Sequence, residues 1–192
     1  MAKTIGERDD LLLLRAFVAT AGTRLMLAAF SLATGVLTAR VLGPEGRGQY
    51  FLGVTLMTLG AQLATLGFHS SNTYQLSRRE DALRGLVANS FWYSAGAGAV
   101  LAAVLGSLLA AGFFPALEGG LGAVALIGVA PALFTILASG LLAGLGRFDT
   151  LNRCDLLSRG VLLLVMVALA SRADPLVFLS ATVGGFVLGA AL

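Results

Sequence analysis

The sequence predicts an all-α integral membrane protein, a bundle of six transmembrane helices. Three observations lead there. Of 192 residues 57% are hydrophobic and only 12% are charged, about half the charged share of a soluble domain, and the mean hydropathy is +0.89. The apolar residues gather in six blocks, 16–39, 49–69, 86–112, 120–146, 152–171 and 176–192, most of them close to the ~20 residues that cross a hydrocarbon core. The runs are also continuous, without the period-two alternation of barrel strands. In lipid each backbone amide needs a partner within its own segment, which a helix supplies.

Residues 1–15 read as a cytoplasmic N-terminal segment with a mixed-charge head, Lys3, Glu7, Arg8, Asp9, Asp10 and Arg15. Block 1 follows. It is too long and wrongly flanked for a cleaved leader, so Met1 is taken as the start. Within Ala16–Ala39 the only charge is Arg24. An isolated arginine facing lipid costs at least ~2.5 kcal/mol near the bilayer centre. Two placements are open: Arg24 faces a polar interior, or the span starts near Leu25 and Arg24 anchors it at the interface. Thr20 and Ser31 fall on nearly the same helical face, which makes Arg24, Thr20 and Ser31 the substrate-cavity candidates. The only carboxylate inside any block is Asp155, at the edge of block 5. With no acid deep in a span, Arg24 suits an anionic substrate, because a guanidinium can bind phosphate in bidentate fashion.

Blocks 1 and 2 are joined by Arg40–Tyr50, RVLGPEGRGQY, too short for anything but a helical hairpin. Gly43-Pro44 sets a turn, Glu45 can cap the next helix, and Gly46 and Gly48 relax the backbone. After block 2 comes a polar stretch, Ser70–Ser77, and then Arg78–Arg84 with Glu80 and Asp81, spaced for ion pairs on an interfacial turn. Block 3 carries a small residue at every fourth position, Gly98, Ala102, Gly106 and Ala110. Such a row lets two helix backbones approach closely in lipid. Block 4 adds Gly128, Ala132, Gly140 and Gly144, and Pro131 in mid-span predicts a bend. The turn between them, residues 113–120, mixes apolar anchors with proline and glycine. Block 5 is the weakest. Its clean apolar part is short, so its helix starts near Leu151 or Asn152, with Asp155 and Arg159 four apart, close to the interface and free to pair.

With a cytoplasmic N-terminus the inside segments hold nine cations and the outside ones three: Arg40, Arg47 and Arg172. That bias satisfies the positive-inside rule. The pI near 9.6 therefore reflects loop arginines, and since they form no single stripe, no nucleic-acid partner is expected. Cys154 is the only cysteine and His69 the only histidine. This rules out an intrachain disulfide and a cysteine or histidine metal cluster. Cys154 reads as a small filler and His69 as the polar end of block 2, with a proton-relay role the alternative. No constellation of nucleophile and base stands out, so no catalytic residue, metal or cofactor is expected, and the chain does not read as an enzyme.

The joint carries a resemblance. Ala39-Arg40, Leu42-Gly43-Pro44-Glu45, Gly48 and Tyr50, then Leu66-Gly67, and later Gly144, Gly146, Arg147, Phe148 and Asn152 are similar to bacterial polysaccharide-biosynthesis flippases. These are the lipid-linked oligosaccharide exporters of the multidrug/oligosaccharidyl-lipid/polysaccharide exporter superfamily. The resemblance implies the N-terminal bundle of a 12–14-span exporter in the bacterial cytoplasmic (inner) membrane. It further implies alternating access, a cavity with positive charge, and a polyprenyl-pyrophosphate-linked glycan as cargo. The second bundle would then lie beyond Leu192. The lipid bilayer is the other partner. A multidrug/cation antiporter of the same superfamily and a non-transport six-span scaffold are the alternatives.

Overall fold

The computed structural model describes the backbone of residues 2–117 and 120–191, and the side chains from Thr20 onward except that of Glu80. Met1, Leu192, and Glu118 and Gly119 of the expected turn lie outside the described residues, as do the side chains of Lys3, Arg8 and Arg15. The described residues form helices α1 (Ala2–Ala64), α2 (Phe68–Arg78), α3 (Leu83–Ala110), α4 (Gly120–Gly144), α5 (Phe148–Ala168) and α6 (Pro175–Ala191). No strand occurs among them. The stretches Thr20–Ala64, Leu83–Ala110 and Gly120–Gly144 are long and apolar enough to cross a membrane, and Pro175–Ala191 is apolar but shorter.

The expected loop at Arg40–Tyr50 shrinks to one residue. Helical geometry runs through α1 except at Gly43, where φ is 67° and ψ is −177°. That conformation is open only to glycine, because a Cβ would collide with the backbone. Helix resumes at Pro44, whose fixed φ suits a first turn and whose missing N–H is not needed there. Glu45 therefore lies in the first turn of the helix that resumes after Gly43.

Contacts fix the direction of every helix. Gly185 faces Leu162 and Gly189 faces Ser158, so α5 and α6 are antiparallel. The limb of α1 before Gly43 runs with α5: Phe30 lies beside Gly160, and Leu37 and Val41 pack in the cluster that holds Met166. The limb after Gly43 runs with α6, since Gly46 meets Pro175 and Gly53 meets Leu179. The two limbs are thus antiparallel, a hairpin hinged on Gly43. In α3 and α4, Gly98 faces Ala130 and Gly122 faces Leu109, again antiparallel. The result alternates throughout: the first limb, α3 and α5 run toward the hinge end, and the second limb, α4 and α6 run away from it.

Most of the close approaches involve α4. A Cβ at Gly98 would come within 2.7 Å of the Ala130 Cβ, and Gly106 meets Leu126. Ala102 is half-buried on the same row and Ala110, at the end of α3, is exposed. Helical structure continues through Pro131 without a break.

The second limb ends at Ala64, earlier than residue 69, because Leu66 (φ 42°) and Gly67 (φ 84°) turn left-handed. The polar stretch that follows is a separate helix, α2, tucked against α4 at the end opposite the hinge. A Cβ at Gly140 or Gly144 would stand 2.8 Å from the His69 or Thr73 carbonyl oxygen respectively. Thr73 Oγ1 donates to the Gly140 carbonyl at 2.9 Å, and Asn72 Nδ2 donates to Ser90 Oγ at 2.8 Å. The Tyr93 hydroxyl donates to the Ala64 carbonyl at 2.7 Å, which satisfies an acceptor that the helix end leaves open. No ion pair forms at Arg78–Arg84 among the described residues. Arg78 instead stacks over the Tyr74 ring, 4.6 Å from its centroid.

Replacing Gly43 by alanine forces a Cβ into a glycine-only conformation and should cost about 1–3 kcal/mol. Gly48, with no positive φ and open space where a Cβ would go, is the matched control. Thermal unfolding of the purified protein in detergent should show a clear loss for Gly43→Ala and little change for Gly48→Ala. Equal behaviour of the two variants would contradict the hinge.

Candidate functional site

A cavity of about 630 Å³ lies between both limbs of α1, helices α4, α5 and α6, and the start of α3 at Leu83 and Val87, within the ~300–1,000 Å³ usual for small-molecule sites. Its hinge end is closed by a packed apolar cluster of Leu117, Leu121, Met166, Phe178 and Leu179, onto which Leu37, Val41 and Leu42 fold. The opposite end is lined by Leu145, Arg147, Leu151 and Ala191, and Arg147 is exposed there. The site is a blind pocket with its mouth away from Gly43.

Depth can be read along the helices at 1.5 Å per residue. Ser158 and Thr135 both meet Gly189, so Ser158, Arg159 and Thr135 share one level in mid-cavity. The deepest polar level is Tyr50 with Thr182, seven residues along α6 from Gly189, about 10 Å nearer the hinge. Arg147, twelve residues before Arg159, marks the mouth about 18 Å the other way.

Local helix chemistry sets the polar lining. In a spanning helix a serine or threonine hydroxyl can donate back to a carbonyl three or four residues earlier, which removes an unsatisfied proton from the low-dielectric interior. Thr38 does so to Thr34 at 2.9 Å, Thr58 to Val54 at 2.8 Å, and Ser158 to Cys154 at 2.8 Å. Thr135 reaches the Pro131 carbonyl at 2.9 Å and, across the helix interface, that of Phe186 at 3.1 Å. Thr182 Oγ1 donates to Phe178 at 3.0 Å. Its one proton is then engaged, so the Tyr50 hydroxyl, 3.1 Å away, is the donor of that buried pair.

Three charged residues line the cavity, Arg147, Asp155 and Arg159. The expected Asp155–Arg159 pair does not form: no salt bridge occurs among the described residues. Both side chains face a space lined with polar groups, so neither needs the other to escape lipid. α5 starts at Phe148, which places Arg159 at mid-cavity.

Of the cavity candidates, Ser31 lines the space, as do Thr34 and Thr38 on the same limb. Thr20 and Arg24 are exposed and outside the lining. They continue the same helical face, and Arg24, seven residues before Ser31, sits about 10 Å nearer the mouth end. Arg40, Gly43, Pro44, Glu45 and Gly48 lie at the hinge, and Pro131 is in the body of α4; none of them lines the cavity. His69 packs against Gly140. Cys154 is half-buried and lines the cavity. No group able to hold a metal ion occurs among the described residues.

Sequence reasoning missed Arg159 as a cavity residue, and with it Tyr50, Thr58, Thr135 and Thr182. The available signal was the interruption of block 5 by Asp155, Ser158 and Arg159, three polar residues on one turn and a little more. No family model, curated protein or solved structure matches the chain.

The Tyr50–Thr182 bond ties the second limb to α6 at the closed end. A cycle of Tyr50→Phe, Thr182→Val and the double variant should give a coupling of about 0.5–1.5 kcal/mol in unfolding free energy. Additive losses would mean that the pair does not bond.

Proposed function

We propose that this chain carries an anionic, lipid-linked oligosaccharide across a bacterial cytoplasmic membrane by alternating access, as the N-terminal bundle of an exporter. The observation that carries the reading is Arg159, a cation in mid-cavity with no salt-bridge partner among the described residues. The Arg159 side chain is exposed to the open cavity, where a ligand can reach it, and its planar fork matches phosphate oxygens. Two arginines against one aspartate in the lining bias the space toward anions and against the cationic cargo of a multidrug antiporter. The joint and α4–α5 motifs similar to polysaccharide flippases point the same way.

On this reading each limb of α1 and each of α3 to α6 makes one crossing, six in all. The nine-to-three cation bias then sets the hinge outside and the cavity mouth, with the N-terminus, in the cytoplasm. The pocket is the inward-facing state, its outer side closed by the apolar cluster beneath Gly43. Carrying cargo without covalent change, the protein is a transporter and not an enzyme.

In a strain whose glycan export depends on this protein, Arg159→Gln should lose export by tenfold or more at normal membrane levels, with Arg159→Lys retaining part of it. Arg24→Ala, on the path between Arg159 and the mouth, should act in the same direction. Full export by Arg159→Gln would refute the reading. Sidedness has its own test in the single cysteine. A membrane-impermeant maleimide should label Cys154 in inverted vesicles and leave it unlabelled in right-side-out ones, and the reverse pattern would overturn the orientation.

A further inference from the structure

We infer that the corner where α2 meets α3 binds a phospholipid of one net negative charge, its phosphodiester held by Arg78, Arg79 and Arg84 and an acyl chain laid along Phe91 and Trp92. The inference goes beyond the transport reading and does not need it, since it uses only the apolar span Leu83–Ala110. Leu76 of α2, Leu86 of α3 and Leu141 of α4 pack in one cluster, with Ala82, Leu83 and Leu145 against it. This packing pins the end of α2 to the start of α3. Between them lies a single 3-10 turn, Glu80–Ala82, drawn tight by the Ala82 N–H donating to the Arg79 carbonyl at 3.3 Å. Three arginines are thereby gathered at one end of a spanning helix, the depth at which lipid headgroups lie. All three are exposed, and none forms a salt bridge among the described residues.

Charge and shape choose the lipid. Glu80 and Asp81 stand in the same turn, so the cations outnumber the acids by one, which favours an anionic headgroup over a zwitterionic one and disfavours a doubly charged one. A guanidinium fork matches the two free oxygens of a phosphodiester. Arg78 is braced over the Tyr74 ring, an amphipathic side chain suited to the same depth. Past Arg84 the same helix face continues through Ala88, Phe91 and Ala95, all of them exposed. Trp92, edge-on to Phe91 with ring centroids 5.6 Å apart, lies eight residues from Arg84, about 12 Å along the helix. A charged head followed by an apolar track is the division of a phospholipid. An acidic soluble peptide would suit the arginines but not a track that runs into the span. Leu83 and Val87 line the cavity and Arg84 does not, so this site is separate from the cargo space.

Trp92 is the only tryptophan, so its fluorescence reports this corner alone. With the full chain in phosphatidylcholine vesicles, phosphatidylglycerol brominated in its acyl chains should quench Trp92 with at least fivefold higher relative affinity than brominated phosphatidylcholine. Unbrominated cardiolipin should compete no better per molecule than unbrominated phosphatidylglycerol, and phosphatidylethanolamine should compete at least fivefold worse. Arg78→Gln/Arg79→Gln/Arg84→Gln should bring the two brominated lipids to equality, while Arg78→Lys/Arg79→Lys/Arg84→Lys keeps part of the preference. Arg40→Gln/Arg47→Gln/Arg172→Gln removes as much charge at the opposite end and should keep the preference whole. Equal quenching by both brominated lipids in the unaltered chain, or a preference that survives the glutamine variant at Arg78, Arg79 and Arg84, would sink the site. Cardiolipin winning tenfold would overturn the single charge, and phosphatidylethanolamine competing as well as phosphatidylglycerol would overturn the anionic headgroup.

Discussion

Close backbone approach to α4 is the constraint on which the bundle depends. Lipid tails are as apolar as leucine, so burying apolar side chains gives little net drive between helices in a membrane, and van der Waals contact with short-range hydrogen bonds must suffice. Contact of that kind needs missing side chains at the crossing points. α4 supplies them along its length: Ala130 against Gly98 of α3, Gly128 against Met57 of the second limb and Val183 of α6, and Gly140 and Gly144 against the backbone of α2. It is also the most enclosed of the long apolar helices, with 39% of its most apolar stretch buried against 6% and 11% for the other two. Because α4 is gripped on three sides, the remaining side can be left open, and that open side is a wall of the cavity.

The cavity inherits its chemistry from the same constraint. A hydroxyl in a spanning helix has a carbonyl four residues back within reach, and most of those lining the cavity use it. Each helix thereby satisfies itself while leaving lone pairs pointing inward. A bundle built this way becomes polar toward its interior at little cost in unsatisfied protons, with Ser31 and Thr34 the lining hydroxyls that keep theirs free among the described residues. The one charged donor in mid-cavity is the Arg159 guanidinium.

Much of the architecture is legible in the sequence. Apolar block lengths announce helices, and the fourfold spacing of Gly98, Ala102, Gly106 and Ala110 announces a narrow helix face, though not what it meets. Gly43-Pro44 marks the joint, but the sequence shows a turn where the chain needs only a single glycine. Three features were not legible for physical reasons. The left-handed pair Leu66 and Gly67 splits block 2, and a leucine at φ 42° has no sequence signature. α2 is held by α4 backbone, a tertiary contact invisible to periodicity. Arg159 gave no sign of lining a cavity because the sequence does not show which face of α5 turns inward, and α5 begins earlier than its apolar content suggests, with Phe148-Asp149 already helical.

A joint of one residue has no slack. Each α-helical residue turns the chain by about 100°, so adding or removing a single residue between Gly43 and Gly53 would swing the face of the second limb by that angle. Gly53, Met57, Gly60 and Ala61, now turned inward, would point away from α4 and α6, and Tyr50 would lose Thr182. Chain length at the hinge is therefore as specific as side-chain identity: the hinge sets the rotational phase of one helix against the rest, and a loop of ordinary length would have released it.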